Sequence, residues 1–159
     1  MNIKHLAHDH LLGIPVEMLD YLEQQHVLSL AVCVNQQVWA ASVFYALDRR
    51  EGLLIFLTDP DTRHGMGAAL QPLVAGTVSD QSLDIASLQG LQLTGIATAV
   101  EDADTCRELR TIYDLRFPFA EGRTSTLWQL RPDYLKLTDN RRGFGHKIDW
   151  SRRPPGNTP

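Results

Sequence analysis

Residues 52–78, GLLIFLTDPDTRHGMGAALQPLVAGTV, decide how the rest of this chain is read. Leu53 through Leu57 and Thr58 form an apolar run with the length and Ile, Leu and Phe content of a buried strand. The character then changes abruptly. Asp59 is a good helix N-cap, and Pro60 suits the first helical position, where a missing N–H costs nothing. Thr62, Arg63 and His64 fall in the first turn, and Leu73 through Val78, after Pro72, read as a second strand. A strand therefore hands over to a helix N-terminus carrying a hydroxyl, a guanidinium and an imidazole. The unpaired N–H groups and the dipole of that terminus favour an anion. Arg63 adds a planar fork matched to phosphate. A cation in the first turn opposes the dipole, and an anion bound there removes the conflict. Thr62 offers its hydroxyl to such an anion or caps the helix; His64 is a further phosphate contact or an ordinary surface histidine.

On the N-terminal side, Pro15 opens a helix to about Gln25, with Val16, Leu19 and Leu22 on one apolar face. Val27–Val34 is an apolar run of strand length, Gln36-Gln37 fits a connecting turn, and Val38–Leu47 returns as a longer strand. Its centre, Ala40-Ala41-Ser42, is small, which lets a flat ligand approach the backbone or relieves crowding inside a small barrel. Asp48 to Gly52 is a charged turn.

On the C-terminal side, residues 79–87 are polar and turn-like, and Leu88–Val100 reads as a strand marked by Gly90 and Gly95, where a bulge or bend is expected. Asp102 or Asp104 caps a helix to about Leu115 whose buried stripe is Cys106, Leu109, Ile112 and Tyr113, and Pro118 ends it. Thr126–Thr138 is the last long strand. About six strands and three short helices without a βαβ rhythm predict an antiparallel α+β domain over residues 14–150, with an N-terminal extension over 1–13. The polar, proline-rich residues 151–159 read as a disordered tail.

At 159 residues, 43% hydrophobic and 21% charged, the chain has the make-up of one globular domain. A net charge of −4 argues against a nucleic-acid surface, even with Arg141, Arg142, Lys147, Arg152 and Arg153 close together. Cys33 and Cys106 form no C-x-x-C pair; both read as buried reduced thiols rather than zinc ligands. The histidines His5, His8 and His10 have no partner at metal-ligand spacing, so no metal is expected. No apolar signal segment or membrane span is legible, which leaves the cytoplasm as the expected compartment. No Ser-His-Asp or Cys-His set assembles from spacing.

Phe56-Leu-Thr58, Thr62-Arg-His64, Pro72 and Val74-Ala-Gly-Thr-Val78, taken together, resemble the FMN-binding split barrels related to pyridoxamine phosphate oxidase. Trp128-Gln-Leu-Arg131 and Thr138-Asp-Asn-Arg-Arg-Gly-Phe-Gly-His-Lys-Ile-Asp-Trp150 narrow the resemblance to the YhbP-type bacterial branch, over Val16 to Trp150. The resemblance implies a six-stranded split β-barrel with flanking short helices, a homodimer, and FMN. It implies that Thr62, Arg63 and His64 grip the flavin phosphate and that Ser42, Val43 and Phe44 lie along the ring. For Thr58 it implies a flavin contact, against plain strand-end packing, and for Trp128 a reach across the dimer. The implied activity is hydride transfer between flavin and a reduced nicotinamide or another small donor. The alternatives are a non-catalytic flavin- or haem-binding barrel, and a barrel acting only through protein contacts. Val38–Leu47 carries none of the cations that pyridoxamine phosphate oxidases have there, so the vitamin substrate is not implied. Trp39, Phe44, Phe56, Trp128 and Phe144 are expected by default in the core.

Overall fold

The computed structural model describes residues 13–152. His5, His8 and His10, and residues 153–159 of the tail expected over 151–159, lie outside that range; Ser151 ends a strand and Arg152 is hydrogen-bonded to Asp133, against that expectation. Helix α1 (Val16–Gln24) leads into β1 (Val27–Val34), β2 (Gln37–Asp48) and β3 (Leu53–Leu57). Helix α2 (Arg63–Leu70), β4 (Leu73–Ser79) and β5 (Gln89–Ala99) follow. The chain ends with α3 (Ala103–Arg116), β6 (Leu127–Asp139) and β7 (Lys147–Ser151).

All pairings are antiparallel, in the order β3-β2-β1-β4-β5-β6-β7, and a further β3–β6 pairing closes six strands into a ring. β6 makes closure possible by dividing its length. Residues 127–130 pair with β3, whereas residues 134–138 pair with β7, which hangs outside the ring. The barrel is thus the expected α+β split barrel, with one strand more than expected. β7 escaped the sequence reading because only Trp150 of its five residues is buried.

The barrel interior is filled by the inward residues of every strand, among them Leu28, Leu30, Val43, Phe56, Val74, Leu91, Leu93, Trp128 and Leu137. α1 plugs one end with Met18, Leu19, Tyr21 and Leu22. Val16, expected on this face, is exposed; Met18 and Tyr21 fill the space instead. Two tyrosines fasten the plug. Tyr45 Oη donates to Leu22 O at 2.7 Å, and Tyr21 Oη lies 3.2 Å from both Val78 O and Gln89 O. α3 covers a second cluster on the outside of the wall, joining Leu109, Tyr113 and Phe117 to Ala46, Ile55 and Leu127. Its cap is Asp102, which accepts from the Thr105 N–H at 2.8 Å.

Two turns differ from expectation. The β1–β2 connection is Asn35-Gln36, not Gln36-Gln37, with φ of +50° and +64°. A two-residue hairpin loop needs positive φ at both positions, and Asn tolerates it. The glycine kink in β5 falls at Gly95 alone, where the β5–β6 register shifts. A Cβ on Gly95 would lie 2.4 Å from Arg131 O, so the strands approach there only because it is glycine. Among the described residues no helix is long and apolar enough to cross a membrane.

Candidate functional site

The start of α2 is built differently from what Asp59-Pro60 suggested. The N-cap is Thr62, whose Oγ1 accepts from the Gly65 N–H at 3.1 Å and donates to Asp59 O at 2.8 Å. Asp59 instead closes a tight turn, its carbonyl also accepting from the Thr62 N–H at 3.1 Å. The Asp-Pro pair imitates a cap signal, but the chain leaving β3 uses those residues to change direction before the helix begins. Arg63 and His64 are therefore the first two helical residues. Their N–H groups belong to the set for which a helix supplies no acceptor. The first turn holds no acidic residue. Gly65 is required here, since a Cβ would lie 2.5 Å from Asp59 O and 2.8 Å from Thr62 Oγ1.

Thr58, Thr62 and His64 converge. Thr58 Oγ1 lies 2.6 Å from His64 Nε2 and 3.2 Å from Thr62 Oγ1. Burial lowers the His64 pKa below its ordinary 6.5, so the ring is neutral at pH 7. Thr58 itself is held from two sides. Its N–H donates to Thr126 O at 3.1 Å, and Trp128 Nε1–H donates to its carbonyl at 3.2 Å. Trp128 is buried and stacked on Phe56, so on this chain it positions the end of β3 from inside the barrel.

Among the described residues no side-chain hydrogen bond ties Arg63 to that cluster. Its guanidinium carbon lies 4.2 Å from the centroid of the Trp39 ring, and it pairs with no carboxylate among the described residues. Beside it is a cavity of about 280 Å³, with walls from Val32, Val34, Met66 and Leu70. Trp39 is 43% exposed, against the expectation that it fills the core. A contact between residues 24 positions apart leaves no mark in local sequence pattern, and this one was missed.

β2 divides the remaining candidates by its alternation. Val43 points into the core, while Ser42 and Phe44 face outward. Phe44 stacks on His26 at 5.9 Å with an interplanar angle of 10° and touches Phe117 and Phe119. Ser42 sits opposite Ser29 of β1, which pairs with Thr77 of β4 and then Gln92 of β5. Phe44 and Phe144 are exposed and, like Trp39, depart from the core expectation; Phe56 and Trp128 follow it.

The outer face of β1, β2, β4 and β5 shows Ala31, Cys33, Val38, Ala40, Leu73 and Ala75, and it carries no charged side chain. Cys33 is therefore exposed and Cys106 half-buried, which corrects the reading of both as buried. An unbroken apolar run looks buried on both sides, whereas only the inner side of β1 meets the core. Among the described residues no group of three or more His, Cys, Asp or Glu is placed to hold a metal.

No family model matches the chain. Proteins of the UPF0306 family do. The chain is 39% identical over 132 residues to the one from Cronobacter sakazakii, covering 83% of this chain and 91% of that protein. A Yersinia pseudotuberculosis relative is 39% identical over 135 residues, covering 85% and 91%. Among solved structures, a haem-binding protein from Mycobacterium smegmatis superposes with a TM-score of 0.67 at 18% identity, covering 83% of this chain and 58% of that chain. A candidate pyridoxamine 5′-phosphate oxidase from Listeria innocua gives 0.62 at 16%, covering 77% and 95%. An FAD-binding protein from Mesorhizobium loti gives 0.64 at 13%, covering 78% and 93%. At such identities these structures speak for the fold, that of the pyridoxamine phosphate oxidase-like split barrels.

Proposed function

The chain belongs to the UPF0306 family, and from that premise we propose that it is a flavin-binding oxidoreductase that holds FMN by its phosphate at the start of α2. One observation carries the reading. α2 opens with a guanidinium and no carboxylate in its first turn, and that guanidinium, Arg63, has no ion-pair partner among the described residues. A phosphate satisfies the cation, the first-turn N–H groups and the dipole together. Thr58 and His64 add a hydroxyl and a neutral imidazole beside it. Trp39 stacks under Arg63 and holds the guanidinium in place, while β2 supplies no second cation.

The uncharged outer face of β1, β2, β4 and β5 supports a homodimer, since a second copy is the simplest cover for it. Ser42 and the small Ala40 then border a flat ring. FMN supplies the hydride chemistry, with a reduced nicotinamide or another small molecule as donor. The protein's own part is to hold the phosphate, flatten the ring's bed and exclude water. The terminal segment Thr138–Trp150 supports placing the chain in the YhbP-type branch.

A second reading, a flavin- or haem-binding barrel without hydride transfer, is supported by the haem-binding protein among the structural neighbours. The absorption spectrum separates the two. A flavin band bleached by a reduced nicotinamide is expected; a flavin band indifferent to every donor, or a Soret band, favours the second reading. Titrating apoprotein with FMN and riboflavin tests the phosphate clamp. A hydrogen bond to a charged group contributes about 1.5–3 kcal/mol, so Arg63→Ala should weaken FMN about ten- to a hundredfold and riboflavin far less. Arg63→Lys should recover only part. Equal losses for both ligands in folded protein would move the phosphate elsewhere.

A further inference from the structure

A second basic cavity, at the β5–β6 bulge, shares no residue with the Arg63 clamp. The register shift at Gly95 leaves β6 one residue longer than β5 at this point: Thr94 pairs with Tyr134, and Gly95 with Pro132. The burial alternation of β6 changes phase across it, so Arg131, Asp133 and Tyr134 all avoid the core. β7 ends opposite the bulge, where the Arg152 N–H donates to Asp133 O at 2.9 Å. The result is a cavity of about 380 Å³ lined by Ile96, Arg131, Asp133 and Arg152.

Its electrostatics are unbalanced. Two guanidiniums face one carboxylate, and Asp133 lies 3.6 Å from Arg131 and 3.8 Å from Arg152, beyond hydrogen-bonding distance for both. Arg152 Nε donates to Pro132 O at 2.9 Å, which locks the guanidinium against the strand. Its guanidinium carbon lies 5.5 Å from the centroid of the Trp150 ring, and its Nη2 is buried without a hydrogen-bond partner. Burial and the neighbouring Arg131 both lower the Arg152 pKa. A buried donor on a charged group that meets no acceptor is costly, and an entering acceptor relieves that cost.

We propose that this cavity binds a small oxyanion, a carboxylate or a phosphate, with Arg152 gripping it from the floor and Arg131 from the rim. One added negative charge balances the pair. The planar guanidiniums select a two-oxygen edge over a spherical ion such as chloride.

The test uses the Arg63→Ala protein, so that the flavin clamp does not answer in place of this cavity. Inorganic phosphate and acetate are each titrated against chloride at matched ionic strength, and thermal unfolding is followed. A saturable rise in Tm is expected with at least one oxyanion and not with chloride. Which one acts tells a phosphate site from a carboxylate site. Arg152→Gln and Arg131→Gln should each weaken the apparent affinity about tenfold or more. Arg131 is half-exposed, so its variant keeps the test alive if Arg152→Gln does not fold. The proposal is overturned if both oxyanions act like chloride, or if the response survives Arg131→Gln unchanged. It is also overturned if the response is present only when Arg63 is intact, a result that would leave the flavin clamp standing.

Discussion

The barrel wall has two outer faces with opposite fates. Over β2, β3 and the start of β6, Ala46, Ile55 and Leu127 are covered by Leu109, Tyr113 and Phe117 of α3 and its C-terminal turn. Over β1, β4, β5 and the first half of β2, Ala31, Cys33, Val38, Ala40, Leu73 and Ala75 have no helix over them among the described residues. The first face is settled within the molecule and contributes to its folding. The second carries no charged side chain, and we assign its cover to a second copy and a flavin. On that assignment, folding and the proposed binding fall on two separate regions of the barrel's outer wall.

The largest expected effect breaks the covered side. Leu109→Ala removes a buried side chain from the α3 cluster and should cost about 2–5 kcal/mol, read as a lower urea midpoint with unchanged slope. The matching change on the bare side is Ala75→Glu. It should leave monomer stability within about 0.5 kcal/mol, because the position is exposed. It should nevertheless weaken self-association about a hundredfold or more in sedimentation, since an unpaired charge at an apolar interface is strongly unfavourable. Unchanged association would remove this face from the dimer.

The cysteines report on each side at smaller cost. Cys33 lies on the bare face and Cys106 is half-buried on α3. A thiol reagent should modify Cys33 quickly in dilute protein, slowly in concentrated protein, and quickly at all concentrations in Ala75→Glu. Cys106 should react slowly throughout. Replacing both by Ala should leave flavin binding intact.

The smallest effect concerns His64. Its folded pKa lies below 6.5, so folding favours the neutral ring. Its penalty is absent above about pH 6.5 and grows as pH falls through that value and then through the folded pKa. Wild-type apoprotein should therefore lose Tm more steeply than His64→Gln between pH 7 and 5. A phosphate bound nearby should raise the pKa and flatten the difference.

Local rules carried most of the architecture. β1 to β6 follow from runs and alternation, the α3 cap from Asp102, and the bulge from Gly95. What was not legible is nonlocal or ambiguous in period. β7 has a single buried residue. Asp59-Pro60 carries a cap signal that the chain uses as a turn, displacing the cap to Thr62. Of the eight predicted cofactor residues, Thr58, Thr62 and His64 meet in space, and Arg63 stands beside them on Trp39. Ser42 and Phe44 occupy the outer face, whereas Val43 and Trp128 are core, their neighbours chosen by tertiary packing that spacing does not encode.

The β3–β6 pairing also governs when the clamp comes into being. The Trp128 hydrogen bond that holds Thr58 spans 70 residues. Contacts of such separation form late, after the entropy of closing a long loop has been met. Hairpin β1–β2 and helix α2 can assemble while a ribosome is still extending the chain, but Thr58 stays unanchored until Leu127 and Trp128 emerge. A nascent chain stalled before that point therefore carries Arg63 without a competent clamp. On the proposed flavin reading, cofactor capture is coupled to near-complete synthesis rather than to the appearance of the residues proposed to touch the ligand.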